Sequence, residues 1–195
     1  MLYRIAHFIR DKFGFLWRII DWGNALVFSL KYTVTLRDIH CENIPGGYSL
    51  IPIGEIQIDK FADFFSHQPE EAFTYFHPHG FDTNNLRRLQ RNKAFLGYVL
   101  VDEESDQIAG YCFLRCYCNG QGYRGRMVDI NYRGKGLGTA MNKIMDIIGF
   151  GIGLRLYESV SRDNIPSYRS ALSASNIKIV KELGKNEVLL EILPD

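Results

Sequence analysis

One short glycine-rich stretch, residues 132–141 with the sequence YRGKGLGTAM, most constrains what this chain can fold into. It follows residues 124–130, which are predicted as a strand, and leads directly into residues with helical apolar spacing. The first N–H groups of a helix have no intrahelical acceptors, and the helix dipole adds partial positive charge there. Glycines let the backbone bend so that several such groups converge on one anion. The stretch therefore predicts a turn between a strand and a helix that holds a diphosphate.

The spacing of the glycines excludes two common phosphate sites. A nucleoside-triphosphate loop requires a Gly-Lys-Ser/Thr triplet at a set distance, and a dinucleotide fold requires G-x-G-x-x-G early in a βαβ unit. Neither pattern is present. The pattern that fits is R-x-x-G-x-G, formed by Arg133, Gly136 and Gly138.

The remaining periodicity predicts a single α+β domain with a mixed sheet. Strands are expected near residues 48–53, 94–102, 108–118, 124–130, 154–160, 177–183 and 187–193. Helices are expected over 58–76 with a break at Pro69, over 83–92, from the glycine turn to about Ile148, and over 165–174.

Residues 1–31 form an amphipathic helical leader in this prediction, and residues 32–195 form the domain. Ile5, Phe8, Ile9, Phe13, Leu16 and Ile20 recur at helical spacing. Charged residues interrupt every long apolar run, which argues against a spanning helix. Such a leader can lie in a membrane interface, pack on its own domain or mediate self-association. Residues 32–36, YTVTL, alternate like a short strand.

Composition excludes some classes of partner. The formal net charge is +1, with 46% hydrophobic and 23% charged residues, so no basic face for nucleic acid is expected. Cys112, Cys116 and Cys118 alternate along one strand face with Leu114, and Cys41 is distant in sequence. This spacing predicts buried reduced thiols in a cytoplasmic protein, with no metal site.

The glycine pattern together with the order of elements over residues 48–193 resembles the GNAT superfamily of N-acetyltransferases. Asn164 and Ser167 match that family's N-x-x-[AS] segment. The resemblance implies a layered α/β/α fold whose mixed central sheet splays between residues 127–130 and 156–160, here with an extra N-terminal helix. It implies acetyl-CoA as cosubstrate. The contacts implied are backbone groups of Val128 and Ile130 with the pantetheine, the side chains of Asn164 and Ser167, and a pyrophosphate loop of Arg133, Gly134, Lys135, Gly136, Leu137, Gly138 and Thr139.

Two departures from the family pattern concern proton transfer. The position where many members carry a tyrosine acid is Ala171, and Tyr168 lies one turn earlier on the same helix. Acyl transfer also requires a neutral amine. The candidate bases are Asp129, Glu158 and His79, with ordered water as the alternative.

The acceptor is expected to be a primary amine that attacks the thioester directly in a ternary complex. His77, His79 and Phe81, in the segment FHPHGFD, are candidate substrate contacts; the alternative is a plain turn in which the imidazoles bond to backbone carbonyls. This segment resembles loops of GNAT-like enzymes of bacterial surface-polysaccharide pathways, which implies an amino sugar or sugar nucleotide. A peptide or protein acceptor, or a non-catalytic acyl-CoA-binding module, are the alternatives.

Overall fold

The computed structural model describes residues 14–41 and 44–194. Its first element is a long helix, α1, at Gly14–Arg37. The predicted strand over residues 32–36 is wrong, because these residues form the last turns of α1. Tyr32 lies one helical turn after Phe28, and both side chains are buried in the core. Of the apolar leader positions, Ile5, Phe8, Ile9 and Phe13 lie outside the described residues, and Ile20 is exposed.

A seven-stranded mixed sheet follows, as the sequence predicts. The strands are β1 at Tyr48–Pro52, β2 at Phe95–Asp102, β3 at Ile108–Cys116, β4 at Gln121–Val128, β5 at Arg155–Ser161, β6 at Asn176–Gly184 and β7 at Glu187–Leu193. Their spatial order is β1-β2-β3-β4-β5-β7-β6. Neighbouring strands are antiparallel except β4 and β5, which are parallel.

Four further helices cover the sheet. These are α2 at Ile58–Ser66, α3 at Thr83–Arg91, α4 at Leu137–Gly151 and α5 at Ile165–Ala174. Asp82 caps α3 by accepting from the backbone N–H groups of Asn84 and Asn85. A short 3₁₀ helix, Glu70–Phe73, follows Pro69, where the helical periodicity breaks.

Each face of the sheet has its own hydrophobic core. One contains Phe61, Phe64 and Phe65 of α2 with Leu86 of α3. The other contains Phe28 of α1 with residues of α4 and α5. The fold is therefore a three-layer α/β/α arrangement, and α1 belongs to one of its layers.

The cysteines of β3 are inert core residues. Cys112 and Cys116 are fully buried beside Leu114. Burial raises the pKa of both thiols, that of Cys116 to about 12. Cys118 departs from the prediction, because it lies beyond the end of β3 and is half-buried.

Within residues 14–41 and 44–194, no helix is both long enough and apolar enough to cross a membrane.

Candidate active site

The sheet opens between β4 and β5. Their parallel pairing covers only Gln121, Gly122 and Tyr123 on β4, and ends at the pair Tyr123–Tyr157. Beyond it, residues 124–128 and 158–161 diverge, and we call the gap between them the wedge. The predicted splay is present, and it begins earlier on β4 than the sequence indicates.

Val128 presents its backbone groups to the wedge. Successive peptide groups of a strand point to opposite edges. The N–H of Asp129 donates to the carbonyl of Ala109 on β3, at 3.0 Å. The N–H and C=O of Val128 therefore point the other way, where β5 has already diverged. An extended amide-bearing ligand can bond to such groups as an added strand does.

Ile130 does not offer the same contact. It begins a 3₁₀ turn, Ile130–Tyr132, and its N–H donates to Oε1 of Gln68 at 3.2 Å. Gln68 Nε2 also donates to Asp129 Oδ2, at 2.5 Å. Sequence reasoning missed Gln68, since nothing at the end of α2 shows that it reaches the end of β4.

Ion pairs link the two sides of the wedge where backbone pairing has stopped. Arg124 Nε donates to Glu158 Oε2, and Arg126 Nη1 donates to Glu158 Oε1, both at 2.7 Å. Glu158 is 3% exposed. Burial raises the pKa of this carboxyl, but Arg126 and Arg124 outweigh burial, so the net shift is downward. Glu158 is therefore a bound carboxylate that fixes the width of the wedge, and it has little capacity to act as a base.

The same network reaches α4 and α5. Arg124 Nη1 donates to Asp146 on α4 and to Ser175 Oγ just after α5. Arg126 Nη2 donates to the carbonyl of Ser167 on α5, at 2.9 Å. Arg124 Nη2 is the one buried guanidinium atom of the network without a hydrogen-bond partner among the described residues. Sequence reasoning missed both arginines, although two cations in one strand followed by a glycine loop are a usable signal of a charged layer.

The glycine loop has the backbone conformation that a phosphate cradle requires. Gly134 and Gly136 have φ values of +79° and +77°, a region that side chains disfavour. A Cβ added at either residue would meet nothing within 4 Å, so the space beside both is open. Gly136 is the N-cap of α4. The N–H groups of Leu137 and Gly138 donate to none of the described residues, which leaves them available to an anion.

The cations of the loop flank this opening. Arg133 is exposed. Lys135 Nζ lies 4.6 Å from the ring centre of Tyr132. Thr139 differs from the prediction in part, because its N–H already donates to the carbonyl of Gly136, at 3.1 Å. Its hydroxyl lies 3.3 Å from Ser170 Oγ.

Helix α5 closes the other side of the cradle. A Cβ at Gly138 would lie 3.2 Å from Ser170 Oγ and 3.6 Å from Arg126 Nε, so α4 and α5 approach closely here. Asn164 caps α5 by accepting from the N–H of Ser167, at 3.3 Å. The structure thus brings the predicted loop, Val128, Asn164 and Ser167 to the edge of the wedge.

Of the other catalytic candidates, Asp129 lies closest to this edge. It follows Val128 directly, is half-buried, and accepts from the N–H of Asn131 at 2.8 Å in addition to the bond from Gln68. A carboxylate has about four acceptor positions, so Asp129 retains the capacity to accept further hydrogen bonds. Tyr168 is half-buried against the core, and Ala171 is fully buried.

His79 is held in an aromatic pocket on the α2 and α3 side of the sheet. Its Nδ1 lies 3.0 Å from the carbonyl of Gly80, and its Nε2 lies 3.0 Å from the hydroxyl of Tyr111. Burial lowers the pKa of His79 to about 4; the Gly80 carbonyl opposes the shift and Arg115 adds to it. The imidazole is therefore neutral and bonded at both nitrogens. Phe81 packs in the same pocket, 4.9 Å from His79 between ring centres, whereas His77 is exposed.

Across the described ranges, no group of three or more His, Cys, Asp or Glu is placed to hold a metal ion.

Comparison with known proteins gives a likeness in structure and none in sequence. No protein-family model matches the chain, and no curated protein matches it. The GNAT domain of S. lividans PAT matches with a TM-score of 0.63 at 13% identity, covering 73% of this chain and 88% of that one.

Two further solved structures are similar to this chain. The ribosomal-protein-S5-alanine acetyltransferase from Vibrio fischeri has a TM-score of 0.61 at 17% identity, covering 75% and 92% of the two chains. The ribosomal L7/L12 alpha-N-protein acetyltransferase RimL, in complex with coenzyme A, has a TM-score of 0.60 at 12% identity, covering 76% and 94%. At such identities the likeness establishes the fold.

Proposed function

We propose that this chain, whose fold is that of the GNAT acetyltransferases, is an acetyl-CoA-dependent N-acetyltransferase. It would transfer an acetyl group from the thioester to a primary amine by direct attack in a ternary complex. The observation that supports this most strongly is the wedge, because its open edge leads straight into the glycine loop at the start of α4.

The residues at the wedge fit the parts of coenzyme A. The pyrophosphate would accept from the unbonded N–H groups of Leu137 and Gly138, with Arg133 and Lys135 supplying positive charge. The carbonyl of Val128 would accept from an amide N–H of the pantetheine. Asn164 uses its side-chain oxygen to cap α5, and its amide nitrogen is the group that would donate to the pantetheine arm.

Direct attack requires that no side chain first take up the acyl group. Cys112 is the cysteine nearest the wedge, since it pairs in register with Arg126. It is fully buried, and burial raises the pKa of its thiol. A buried thiol is a poor nucleophile because the thiolate is the reactive form.

Direct attack of the amine on the thioester forms a tetrahedral intermediate with an oxyanion. The N–H of Val128 would stabilise this oxyanion.

Among the candidate bases, Asp129 is the one this geometry favours. Glu158 is fully engaged by two arginines, and both nitrogens of His79 are bonded. Asp129 lies next to Val128 and keeps acceptor capacity, so it can orient the amine and take its proton directly or through water. Ala171 supplies no acid, and a thiolate with a conjugate-acid pKa of about 8.5 can leave without one.

The acceptor we propose is an amino sugar or sugar nucleotide. An exposed aromatic ring, Tyr75, and the exposed His77 stand on the α2 and α3 side of the sheet, where a sugar could stack and bond. A peptide or protein amine is the alternative, since two of the similar structures are acetyltransferases of ribosomal proteins by name. The reduced cysteines support a cytoplasmic protein.

A non-catalytic acyl-CoA-binding module is the second candidate, favoured by Ala171 and by the engagement of Glu158. Release of free thiol from acetyl-CoA separates the two, measured with panels of amino sugars, sugar nucleotides, polyamines and peptide N-termini. Amine-dependent thiol release, reduced at least tenfold in Asp129→Asn, is the expected result. If the protein binds coenzyme A but no amine in the panels causes thiol release from acetyl-CoA, the binding module is favoured.

A further inference from the structure

Helix α1 is apolar on the side that faces away from the domain. Its inner side buries Phe28 and Tyr32 in the main core. Its outer side exposes large apolar side chains, of which Leu30 is 80% exposed, Val34 76% and Trp22 67%. Over residues 18–37, where side-chain burial is described, the exposed large apolar side chains are Ile19, Ile20, Trp22, Leu26, Val27, Leu30 and Val34.

These seven side chains form one continuous stripe. At 100° per residue, Trp22, Leu26 and Leu30 follow one another at i, i+4 spacing, and Val34 continues the line one turn later. The stripe lies opposite the line of Phe28 and Tyr32. Scattered surface hydrophobes are normal, but a contiguous exposed stripe marks an interaction surface. We call it the outer face of α1.

The segment that carries this face has a positive net charge. Residues 1–37 contain six of the 23 Lys and Arg residues and two of the 22 Asp and Glu residues, so their net charge is +4 and that of the remaining chain is −3. Asp21, the acid of α1, is turned toward the domain, where its carboxylate accepts from Asn92 Nδ2 at 3.2 Å. Among the described residues of α1, Arg18, Lys31 and Arg37 are exposed cations and Asp21 is the one acid, so the helix that carries the outer face has a net charge of +2.

The outer face lies away from the wedge. Asn24 of α1 donates to the carbonyl of Cys116 and accepts from the N–H of Cys118, which places α1 beside the turn between β3 and β4. Tyr32 lies near Gly120 in the same turn. This turn precedes β4, whereas the wedge opens along residues 124–128 of β4 and the glycine loop follows the end of that strand. A surface that covers the outer face leaves the wedge accessible.

We infer that the outer face of α1 binds the interface of an anionic lipid membrane. Apolar residues with an exposed tryptophan insert at the boundary of headgroups and acyl chains, and flanking Lys and Arg are attracted by anionic lipids. Pairing with a second copy would bury the same stripe, but it would bring two helices of the same positive net charge together. The charge pattern thus favours the membrane over self-association.

Sedimentation of the full chain with vesicles tests this inference, using phosphatidylcholine with and without phosphatidylserine. The wild type is expected to bind the anionic vesicles and to lose binding as salt is raised. The double variant Leu30→Glu with Val34→Glu is expected to bind about tenfold more weakly or less. The matched control is Val180→Glu with Leu183→Glu, at two exposed apolar positions of the edge strand β6, which should bind as the wild type does.

Folding and self-association of the same proteins are measured as controls. Circular dichroism and coenzyme A binding should be unchanged in the Leu30 and Val34 variant, since both positions are exposed. Equal vesicle binding by that variant and the wild type overturns the inference. A wild type that binds no vesicles, together with a dimer in analytical ultracentrifugation that the variant converts to a monomer, also overturns it and assigns the outer face to a second copy.

Discussion

Glu158 is bound by two arginines that lie 34 and 32 positions before it in the chain, Arg124 and Arg126. From the sequence alone it is an acid on a strand beside the expected splay, which makes it a candidate base. Its function in the fold depends on partners that only the parallel pairing of β4 and β5 brings together. A residue's chemistry can be predicted from its type, but its availability depends on neighbours that are distant in sequence.

Replacing Glu158 should destabilise the protein strongly. Glu158→Gln leaves Arg126 buried without its counter-charge and Arg124 with Asp146 alone, and removing one partner of a buried pair costs about 3–5 kcal/mol. The control is Glu191→Gln, since the ion pair of Glu191 with Arg155 is on the surface and should contribute about 1 kcal/mol at most. Urea unfolding of both variants measures this. Equal losses would contradict a structural function of Glu158.

His79 should make stability depend on pH. The unfolded chain takes up this proton near pH 6.5, whereas the pKa of His79 in the folded protein is about 4. The contribution of the neutral imidazole is therefore complete above pH 6.5 and is lost as the pH falls toward 4. Between pH 7 and pH 5, wild type should lose about 2 kcal/mol more than His79→Gln. Parallel pH profiles of the two free energies of unfolding would show that His79 is not buried as a neutral group.

At the scale of elements, residues that start or end helices predict secondary structure better than apolar alternation does. Pro166 is typical of the first turn of a helix, and the helix predicted over residues 165–174 is found at Ile165–Ala174. The alternation of YTVTL misled, because Phe28, Tyr32 and Leu36 also recur at helical spacing and all three pack in the core. Packing of Phe28, Tyr32 and Leu36 in the core therefore favours the helical period of 3.6 residues over the strand period of 2.

Asn164 is expected to serve both its helix and the cofactor, and two substitutions separate these effects. Asn164→Ala removes the cap of α5 and should cost about 1 kcal/mol of stability. Asn164→Asp keeps a capping oxygen but removes the amide donor. It should preserve thermal stability and raise the Kd of coenzyme A several-fold, measured by calorimetry. Unchanged affinity in Asn164→Asp would restrict Asn164 to capping.

For the whole molecule, the sequence predicts the architecture better than it predicts the site. The GNAT-like fold is confirmed, including the mixed sheet and the extra N-terminal helix. Local glycine geometry identifies the loop because it depends on consecutive residues. Gln68 and Asp146 could not be identified, since each acts through contacts between elements that are far apart in sequence.

Helix α1 should be integral to the domain although the sequence separates residues 1–31 as a leader. Phe28 is 2% exposed within the main core. Phe28→Ala should therefore lower the free energy of unfolding by about 3–5 kcal/mol. Leu30→Ala, two residues further along the same helix but on its outer face, should change it by about 0.5 kcal/mol or less. Similar small effects in urea unfolding would mean that α1 is a dispensable leader.

Calorimetric titration of coenzyme A into the wild type, Gly136→Val and Gly153→Val tests most directly whether the glycine loop holds the pyrophosphate. Both glycines have positive φ, +77° and +75°, and a Cβ at either meets nothing within 4 Å. The two substitutions thus impose similar backbone strain, but only Gly136 lies in the loop. We expect Gly136→Val to raise the Kd at least tenfold and Gly153→Val to leave it unchanged. Equal affinity of all three proteins, or no binding by the wild type, would contradict a phosphate cradle at the start of α4.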